Sequence, residues 1–308
     1  MNTVNKYFSL IKFSHTVFAL PFAIIGFCLG IYSGKAIFSW EKLVLVIGCM
    51  IFARSAAMAF NRYIDRTFDA KNPRTAIREI PAGQIKPASA AIFTLISAAL
   101  FMVCAYFINK LCFYLSPVAL LVVLGYSFTK RFTPLCHLIL GLGLSLAPIG
   151  AYLALTESFD VLPILFSVVV FFWVGGFDII FALQDEEFDR SEGLKSIPVL
   201  MGKARALRLS EFMHLIAASI VIFAFFYGGF SWLYIGGAVV FIGLLGYQHL
   251  IVKPDDLSRV NLAFGTVNGI ASVLFCLFVC LDIFLLSSCG VSHFEFPPPG
   301  FPDPPPGP

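Results

Sequence analysis

Long apolar segments separated by short polar ones dominate this sequence and restrict the folds that the chain can adopt. A transmembrane helix needs roughly 20 mostly apolar residues, and segments of this kind recur from Phe18 to near Ile283. Hydrophobic residues make up 59% of the chain and charged residues only 13%, and the mean hydropathy is +0.88. One water-soluble core could not bury so much apolar surface. We therefore predict an all-α multi-pass membrane protein.

The apolar segments predict nine membrane-spanning helices around a central cavity. Their predicted ranges are 15–34, 41–60, 88–108, 112–128, 136–155, 161–184, 206–228, 231–252 and 262–286. Four helices separate the two charged loops, so we expect two four-helix half-units, 12–130 and 131–252, followed by a last helix. Residues 1–286 then form a single membrane domain. Residues 287–308 form a tail rich in Pro and Gly that cannot be helical.

The distribution of basic residues predicts the orientation of the chain in the membrane. With the N-terminus inside, 17 Lys and Arg residues fall on the cytoplasmic side, whereas only Lys35, Lys42 and Lys110 fall on the other side. This asymmetry follows the positive-inside rule. An odd helix count then places the C-terminus outside. We expect a protein of the cytoplasmic (inner) membrane whose two charged loops face the cytoplasm.

Composition argues against several classes of function. The net charge is +3, and no basic segment interleaved with aromatic residues indicates a nucleic-acid surface. The eight cysteines lie within or beside apolar segments and form no CxxC pair, so we interpret them as packing residues. No obligate protein partner is indicated. The partner that the composition does indicate is the lipid bilayer.

Regularly spaced acidic residues begin each of the two charged loops. The first cluster, at steps of four, consists of Asn61, Asp65 and Asp69. The second, at steps of seven and four, consists of Asp178, Asp185 and Asp189. Both spacings place the side chains of a cluster on one face of a helix. We therefore expect two walls of oxygen ligands at the cytoplasmic ends of two helices.

Two such walls indicate a cation between them, because like charges four residues apart destabilise a helix and desolvation near the membrane adds to that cost. Mg²⁺ fits best, since it prefers oxygen ligands and is commonly held by one or two carboxylates and by substrate phosphates. The bases available for a phosphate are Arg66, Arg74, Arg78, Lys130, Arg131 and Lys195. The alternative is that these are solvated loop charges that merely follow the membrane topology.

The two loops resemble those of the UbiA superfamily of intramembrane aromatic prenyltransferases, and the resemblance extends from Lys12 to the last helix. The first acidic cluster is similar to the first aspartate motif of the family. Its continuation is similar at Asn72, Pro73, Arg74, Thr75, Arg78, Pro81, Ala82 and Gly83. The second cluster resembles the second motif, with Gly193, Lys195 and Ser196 as the Gly-x-Lys-Ser continuation. The segment Tyr126 to Thr133 resembles the family's loop between the fourth and fifth helices.

Three departures from the family pattern concern the subfamily. Phe177 stands where the family often has Tyr, Arg62 stands where it often has Asp, and Glu79-Ile80 interrupts a usual Arg-Pro. The segments around Asp178 and Glu79 look most like members called 4-hydroxybenzoate polyprenyltransferase-like, some of which serve the futalosine route to menaquinone. The acceptor therefore stays open between 4-hydroxybenzoate and related aromatic acids.

The resemblance implies a metal-dependent transfer of a polyprenyl group from an isoprenyl diphosphate to an aromatic acceptor. It implies that Mg²⁺ is held by Asn61, Asp65, Asp69, Asp185 and Asp189 and neutralises the leaving diphosphate. A cavity buried in lipid would keep water from the carbocation. By the same analogy Arg131 binds an acceptor carboxylate and Asp178 takes a hydroxyl or ring proton. Tyr126 is placed to line the substrate cavity.

A transporter or channel is the rival from another class, because charges inside a bundle can mark an ion path. The acids, however, lie at predicted cytoplasmic helix ends beside Arg and Lys. Only Arg54 and Asp282 fall inside predicted spans away from both loops. A superfamily member with another acceptor, dihydroxynaphthoate or haem, is the second alternative.

Overall fold

The structure, a computed structural model, describes residues 3–10 and 18–286, which form a bundle of helices. The helices are α1 (Thr3–Leu10), α2 (Leu20–Tyr32), α3 (Trp40–Ile64), α4 (Arg66–Lys71), α5 (Pro87–Ile108), α6 (Lys110–Thr129), α7 (Cys136–Thr156), α8 (Val161–Ala182), α9 (Glu186–Ser191), α10 (Ile197–Met201), α11 (Lys203–Gly228), α12 (Trp232–Ile251) and α13 (Asn268–Leu281). A 3₁₀ turn at Leu183–Asp185 joins α8 to α9, and π-helical segments at Leu262–Val267 and Asp282–Leu286 flank α13.

Eight helical segments of the described residues are long and apolar enough to cross a membrane, which confirms an all-α multi-pass membrane fold. Their bounds as helices agree with eight of the predicted spans to within four residues. The first predicted span, 15–34, corresponds to α2, which has 13 residues and is therefore about 20 Å long. Residues 15–17 lie outside the described part. The count of nine and the two half-units stay predictions, and the predicted C-terminal tail, 287–308, lies outside the described residues.

Close helix packing in the bundle depends on glycine at two helix contacts. A Cβ atom at Gly26 of α2 would lie 2.0 Å from the carbonyl oxygen of Pro148 in α7. A Cβ atom at Gly141 of α7 would lie 2.5 Å from the carbonyl oxygen of Phe171 in α8. Small residues let helix backbones approach closely where lipid offers no hydrophobic drive for association. These contacts fix α7 between α2 and α8.

A buried polar network supports the π-helical segment before α13. Trp173 Nε1 and Gln248 Nε2 both donate to Asn268 Oδ1 at 2.8 Å, and Asn268 Nδ2 donates to the carbonyl oxygen of Ala263 at 3.1 Å. Polar groups at membrane depth need such internal partners, because lipid offers none. The π-helical segment carries Phe264, whose side chain lines the central cavity described below.

Asp282, one of the two charges inside a predicted span, has a structural role. Its carboxylate is fully buried and accepts hydrogen bonds from the backbone amides of Ser231 and Tyr234, at 2.9 to 3.1 Å. These amides begin α12, where the first N–H groups of a helix have no partner within the helix. Asp282 therefore caps α12 from another helix, which accounts for its position without an ion path.

Candidate active site

Both acidic clusters line one cavity of about 600 Å³, a volume typical of small-molecule sites. The predicted residues on its wall are Asn61, Asp65, Asp69, Arg74, Arg78, Tyr126, Lys130, Arg131, Asp178, Asp185 and Asp189. Helices α3 and α8 carry the clusters to the same end of the bundle. There the chain continues as α4 on one side and as the 3₁₀ turn and α9 on the other. Spacing on two separate helices thus becomes one site.

Side chains of one cluster's loop reach the acids of the other cluster. Arg74 Nε donates to Asp185 Oδ1 at 2.9 Å, and Arg74 Nη2 donates to Asp185 Oδ2. Asn72 Nδ2 donates to the same Oδ1 atom at 3.0 Å. Outside the cavity, Lys71 Nζ donates to Glu192 Oε2 at 2.6 Å. The first charged loop therefore contacts the second at two positions, Asp185 and Glu192.

The three other acids at this end of the cavity each carry a base as well. Lys130 Nζ lies 2.7 Å from Asp189 Oδ2, Arg78 Nη1 lies 2.6 Å from Asp69 Oδ1, and Arg131 Nη2 lies 3.1 Å from Asp65 Oδ1. With Arg74 and Asp185, four carboxylates face four cations. Such pairing offsets the desolvation of each charge. It also leaves both signs of charge within reach of a metal–diphosphate.

The local chain path fixes the first cluster. Asn61 Nδ2 donates to Asp65 Oδ2 at 2.9 Å across one turn of α3, and Asp65 ends that helix with φ −90° and ψ 5°. The chain then turns into α4, which carries Asp69. Thr75 Oγ1 donates to the carbonyl oxygen of Asp69 at 3.1 Å. These contacts hold Asp65 and Asp69 on the cavity wall at a break between two helices.

The oxygen donors suit a hard cation, although no three His, Cys, Asp or Glu side chains within the described residues lie close enough together to share one. The acids are instead held by their bases. Two oxygens are different, since Asp69 Oδ2 and Asp189 Oδ2 are buried and form no hydrogen bond, although Asp189 Oδ2 lies 2.7 Å from Lys130 Nζ. A buried carboxylate oxygen without a partner is costly. The donor chemistry fits Mg²⁺, and the metal set drawn from the sequence stays a prediction.

Burial changes the acid–base behaviour of two of these groups. Burial, together with the charge of Asp69, raises the pKa of Asp65 to about 6, against the opposing effect of Arg131 and Lys130. Burial by itself would lower the pKa of Lys130, but its ion pair with Asp189 outweighs that effect, and the pKa is raised. Lys130 is therefore protonated at neutral pH, whereas the carboxyl group of Asp65 titrates near pH 6.

Two of the predicted phosphate-binding residues do not line the cavity. Arg66 Nη1 donates to the carbonyl oxygen of Tyr63 at 2.6 Å, and its guanidinium lies over the Tyr63 ring, 4.6 Å from the centroid. Lys195 Nζ donates to the carbonyl oxygen of Phe132 at 3.2 Å. The backbone N–H of Lys195 donates to the carbonyl oxygen of Lys130 at 2.7 Å. Arg66 therefore closes the end of α3, and Lys195 fastens the second charged loop to the segment after α6.

A deeper layer of polar side chains lines the same cavity. Arg54 precedes Asn61 by seven residues and Asp178 precedes Asp185 by seven, which places both about 10 Å farther into the membrane along their helices. The Nε atom of Arg54 is buried without a hydrogen-bond partner. His137, at the start of α7, also lines the cavity and contacts Asp178.

The sequence interpretation missed Arg54, Arg62 and His137 as cavity residues. Arg62 is 97% buried, and its Nε and Nη1 atoms have no hydrogen-bond partner. The spacing of seven between Arg54 and Asn61 is a signal that could have placed Arg54 on the face of the acidic cluster. No comparable signal exists for His137, because it lies on another helix from the acid that it contacts.

Comparison with known proteins decides the family. The sequence model of the UbiA prenyltransferase family matches residues 19–275, a range that contains both acidic clusters. The chain belongs to the UbiA prenyltransferase family. The predicted class of enzyme, a prenyltransferase that acts in the membrane, is thereby confirmed.

Individual relatives agree with this membership. The 4-hydroxybenzoate octaprenyltransferase of Aeromonas salmonicida is 31% identical over 247 residues, which span 77% of this chain and 81% of the relative. A UbiA homolog from Aeropyrum pernix K1, solved in its apo form, matches with a TM-score of 0.79 at 30% identity, over 87% of this chain and 98% of that one. A UbiA homolog from Archaeoglobus fulgidus, solved with DMAPP and Mg²⁺, shares the fold with a TM-score of 0.69 at 22% identity, over 91% of this chain and 100% of that one.

Proposed function

We propose that this protein transfers a polyprenyl group from an isoprenyl diphosphate to 4-hydroxybenzoate or a related aromatic acid, in ubiquinone or menaquinone biosynthesis. The observation that carries the proposal is the set of four ion pairs around one end of a cavity whose wall is otherwise largely apolar. A diphosphate needs the cations and a divalent metal needs the carboxylates, while a prenyl chain needs the apolar wall. The curated relative from Aeromonas salmonicida bears the name of this reaction.

The charged end of the cavity is the proposed diphosphate site. Oxygen atoms of Asn61, Asp65, Asp69, Asp185 and Asp189 would hold Mg²⁺, whose charge would stabilise the leaving diphosphate. In the structure these acids are paired with four bases, Arg74, Arg78, Lys130 and Arg131, which would pair with the phosphate oxygens once the carboxylates hold the cation. Arg62 would add two guanidinium nitrogens, Nε and Nη1, that have no hydrogen-bond partner in the structure. Binding would thus exchange partners among four acids and four bases and would give the buried guanidinium of Arg62 an anionic partner.

Apolar side chains of α5 and α6 form the proposed path of the prenyl chain. Phe101, Leu115, Val118 and Val122 line the cavity together with Phe159, which precedes α8. Such a wall gains free energy by covering a polyprenyl chain and excludes water from an allylic cation. The length of the chain that fits is a question for the assay below.

The deeper layer is the proposed acceptor site. Arg54 pairs with the acceptor carboxylate, because it is a cavity-lining arginine without an acidic partner among the described residues. The C–O bond of the donor breaks and the diphosphate keeps its electron pair. A ring carbon of the acceptor then forms the C–C bond with the allylic carbon. The proton displaced from the ring, or first from its hydroxyl, passes to Asp178.

The proposed location is the cytoplasmic membrane of a bacterium, with the charged loops inside and the C-terminal tail outside. The positive-inside distribution of Lys and Arg supports this orientation. The eight candidate spans support an integral membrane protein. The curated relatives are bacterial proteins.

A matrix of donors and acceptors tests the function. Purified protein in lipid nanodiscs is incubated with Mg²⁺, prenyl diphosphates of several chain lengths and a panel containing 4-hydroxybenzoate, other aromatic acids and dihydroxynaphthoate, and the products are identified by mass spectrometry. We expect a C-prenylated 4-hydroxybenzoate or a close relative, and no product with Asp185→Asn. Transfer only to dihydroxynaphthoate, or only to an acceptor without a carboxylate, would contradict the proposal.

A further inference from the structure

His137 forms a short contact with Asp178 on the cavity wall. Its Nδ1 atom lies 2.7 Å from Asp178 Oδ2, and both residues line the cavity. The His137 side chain is 1% exposed and the Asp178 side chain 13% exposed. The contact joins the start of α7 to the last part of α8. An imidazole in this position faces the acid that the proposed function assigns to proton removal.

The other ring nitrogen of His137 identifies the tautomer. The backbone N–H of Ile197, the first residue of α10, donates to His137 Nε2 at 3.4 Å. An atom that accepts this hydrogen bond carries no proton, so the imidazole proton lies on Nδ1 and is donated to Asp178 Oδ2. The Ile197 amide therefore makes His137 a donor to Asp178 and leaves no open nitrogen for passing a proton onward.

The hydrogen bond from His137 makes the two carboxylate oxygens of Asp178 different. Oδ2 is held by His137, whereas Oδ1 has no hydrogen-bond partner among the described residues and belongs to a residue of the cavity wall. A hydrogen bond to one oxygen restrains the rotation of a carboxyl group and so fixes the position of its other oxygen. The free oxygen can then meet an acceptor hydroxyl or a departing ring proton.

We propose that His137 is a positioning residue that holds the carboxyl group of Asp178 in the orientation in which its second oxygen meets the aromatic acceptor. This inference rests on the proposed function, in which Asp178 accepts the proton. It links the acceptor site to the second charged loop, because Ile197 directly follows Ser196, whose Oγ accepts a hydrogen bond from the Val199 amide as the N-cap of α10. A shift of the second charged loop would therefore move the Ile197 amide and, through its hydrogen bond to His137, change the contact between His137 and Asp178.

Matched variants of His137 separate positioning from packing. The amide nitrogen of His137→Asn can replace the Nδ1 donor, whereas His137→Leu fills the space without a donor. Both are purified in nanodiscs, and kcat and the KM of each substrate are measured beside those of Asp178→Asn and the double variant His137→Leu/Asp178→Asn. We expect His137→Leu to lower kcat about tenfold or more with the KM of the prenyl diphosphate unchanged. His137→Asn should recover most of that loss, and the double variant should be no worse than Asp178→Asn alone.

Infrared difference spectroscopy gives a readout that needs no turnover. In His137→Leu, Asp178 has lost its donor, so we expect the carboxyl stretching band assigned to Asp178, by its absence from Asp178→Asn and from the double variant, to shift from its wild-type frequency. Unchanged kcat in His137→Leu, or equal damage in His137→Asn and His137→Leu, would overturn the inference. A wild-type protein that prenylates no aromatic acid would instead contradict the proposed function, and the infrared band would still decide the relation between His137 and Asp178.

Discussion

The guanidinium of Arg74 donates through Nε to Oδ1 of Asp185 at 2.9 Å, across 111 residues of sequence. Arg74 belongs to the loop of the first acidic cluster and Asp185 to the second cluster. The pair therefore joins the two halves of the proposed diphosphate site. In a cluster with four acids and four bases, each carboxylate that binds a metal frees a cation for a phosphate. This relationship leads to the first prediction.

Loss of one acid from either cluster should abolish prenyl transfer. Asp65→Ala and Asp185→Ala each remove a carboxylate from the cavity wall, and we expect activity to fall about 100-fold or more. Glu192→Ala is the matched control, because it breaks the Lys71–Glu192 ion pair between the same loops outside the cavity. Full activity in either aspartate variant, with thermal unfolding as in the wild type, would show that one wall suffices.

The requirement for Mg²⁺ should depend on pH through Asp65. Its folded pKa of about 6 means that below pH 6 the carboxyl is mostly protonated, and a metal ligand must be deprotonated. We therefore expect the Mg²⁺ concentration for half-maximal activity to rise by up to about tenfold per pH unit below about pH 6 and to level off above pH 7.

The variant Arg131→Gln tests whether this pH effect comes from Asp65. Arg131 lowers the pKa of Asp65, so its removal should shift the rise in the Mg²⁺ requirement to higher pH. Activity titrated with Mg²⁺ from pH 5 to 8, after removal of bound metal with a chelator, measures both curves. A requirement that is flat over this range would exclude Asp65 as a metal ligand.

Arg54 and Arg131 should affect different substrates. If Arg54 binds the acceptor carboxylate, Arg54→Leu should raise the KM of the acceptor about 10- to 100-fold, as expected for a charge-assisted hydrogen bond of 1.5–3 kcal/mol, and leave the KM of the prenyl diphosphate near its wild-type value. Arg131→Leu should raise the KM of the diphosphate instead, because Arg131 contacts Asp65. The opposite result would restore the assignment that the family resemblance implies.

Asp282 should stabilise the fold without affecting chemistry. Asp282→Leu removes the acceptor of the first backbone amides of α12, and we expect a loss of about 1–3 kcal/mol in the free energy of unfolding. Asp255→Leu, in the exposed loop after α12, is the control. Thermal unfolding in nanodiscs measures the difference. Equal stability of the two variants would remove the capping role.

The orientation of the C-terminal tail can be tested with one cysteine. In a variant without native cysteines, Ser292→Cys should react with a membrane-impermeant maleimide in intact cells, because an odd helix count places the tail outside. Lys71→Cys, in the first charged loop, should react only after lysis. Protection of Ser292→Cys until lysis would indicate an even number of spans.

The helices could be predicted from the sequence because lipid leaves few alternatives. A segment of about 20 apolar residues in a bilayer must form its own backbone hydrogen bonds. The α-helix is the structure that forms all of them within a single segment. The steps of four and seven then place the acids of each cluster on one face, whatever the rest of the chain does. For these reasons eight predicted spans agree with the structure, and the members of each acidic cluster lie together on the cavity wall.

Partners across the bundle were decided only by tertiary structure. Nothing in the local pattern assigns Arg74 to Asp185, pairs His137 with Asp178, or turns Lys195 away from the cavity. These contacts join positions tens of residues apart, and they depend on how α3, α7 and α8 pack and on the path of the loops between them. Hydrophobic length and helical period are properties of a segment, whereas a contact between segments is a property of the folded chain.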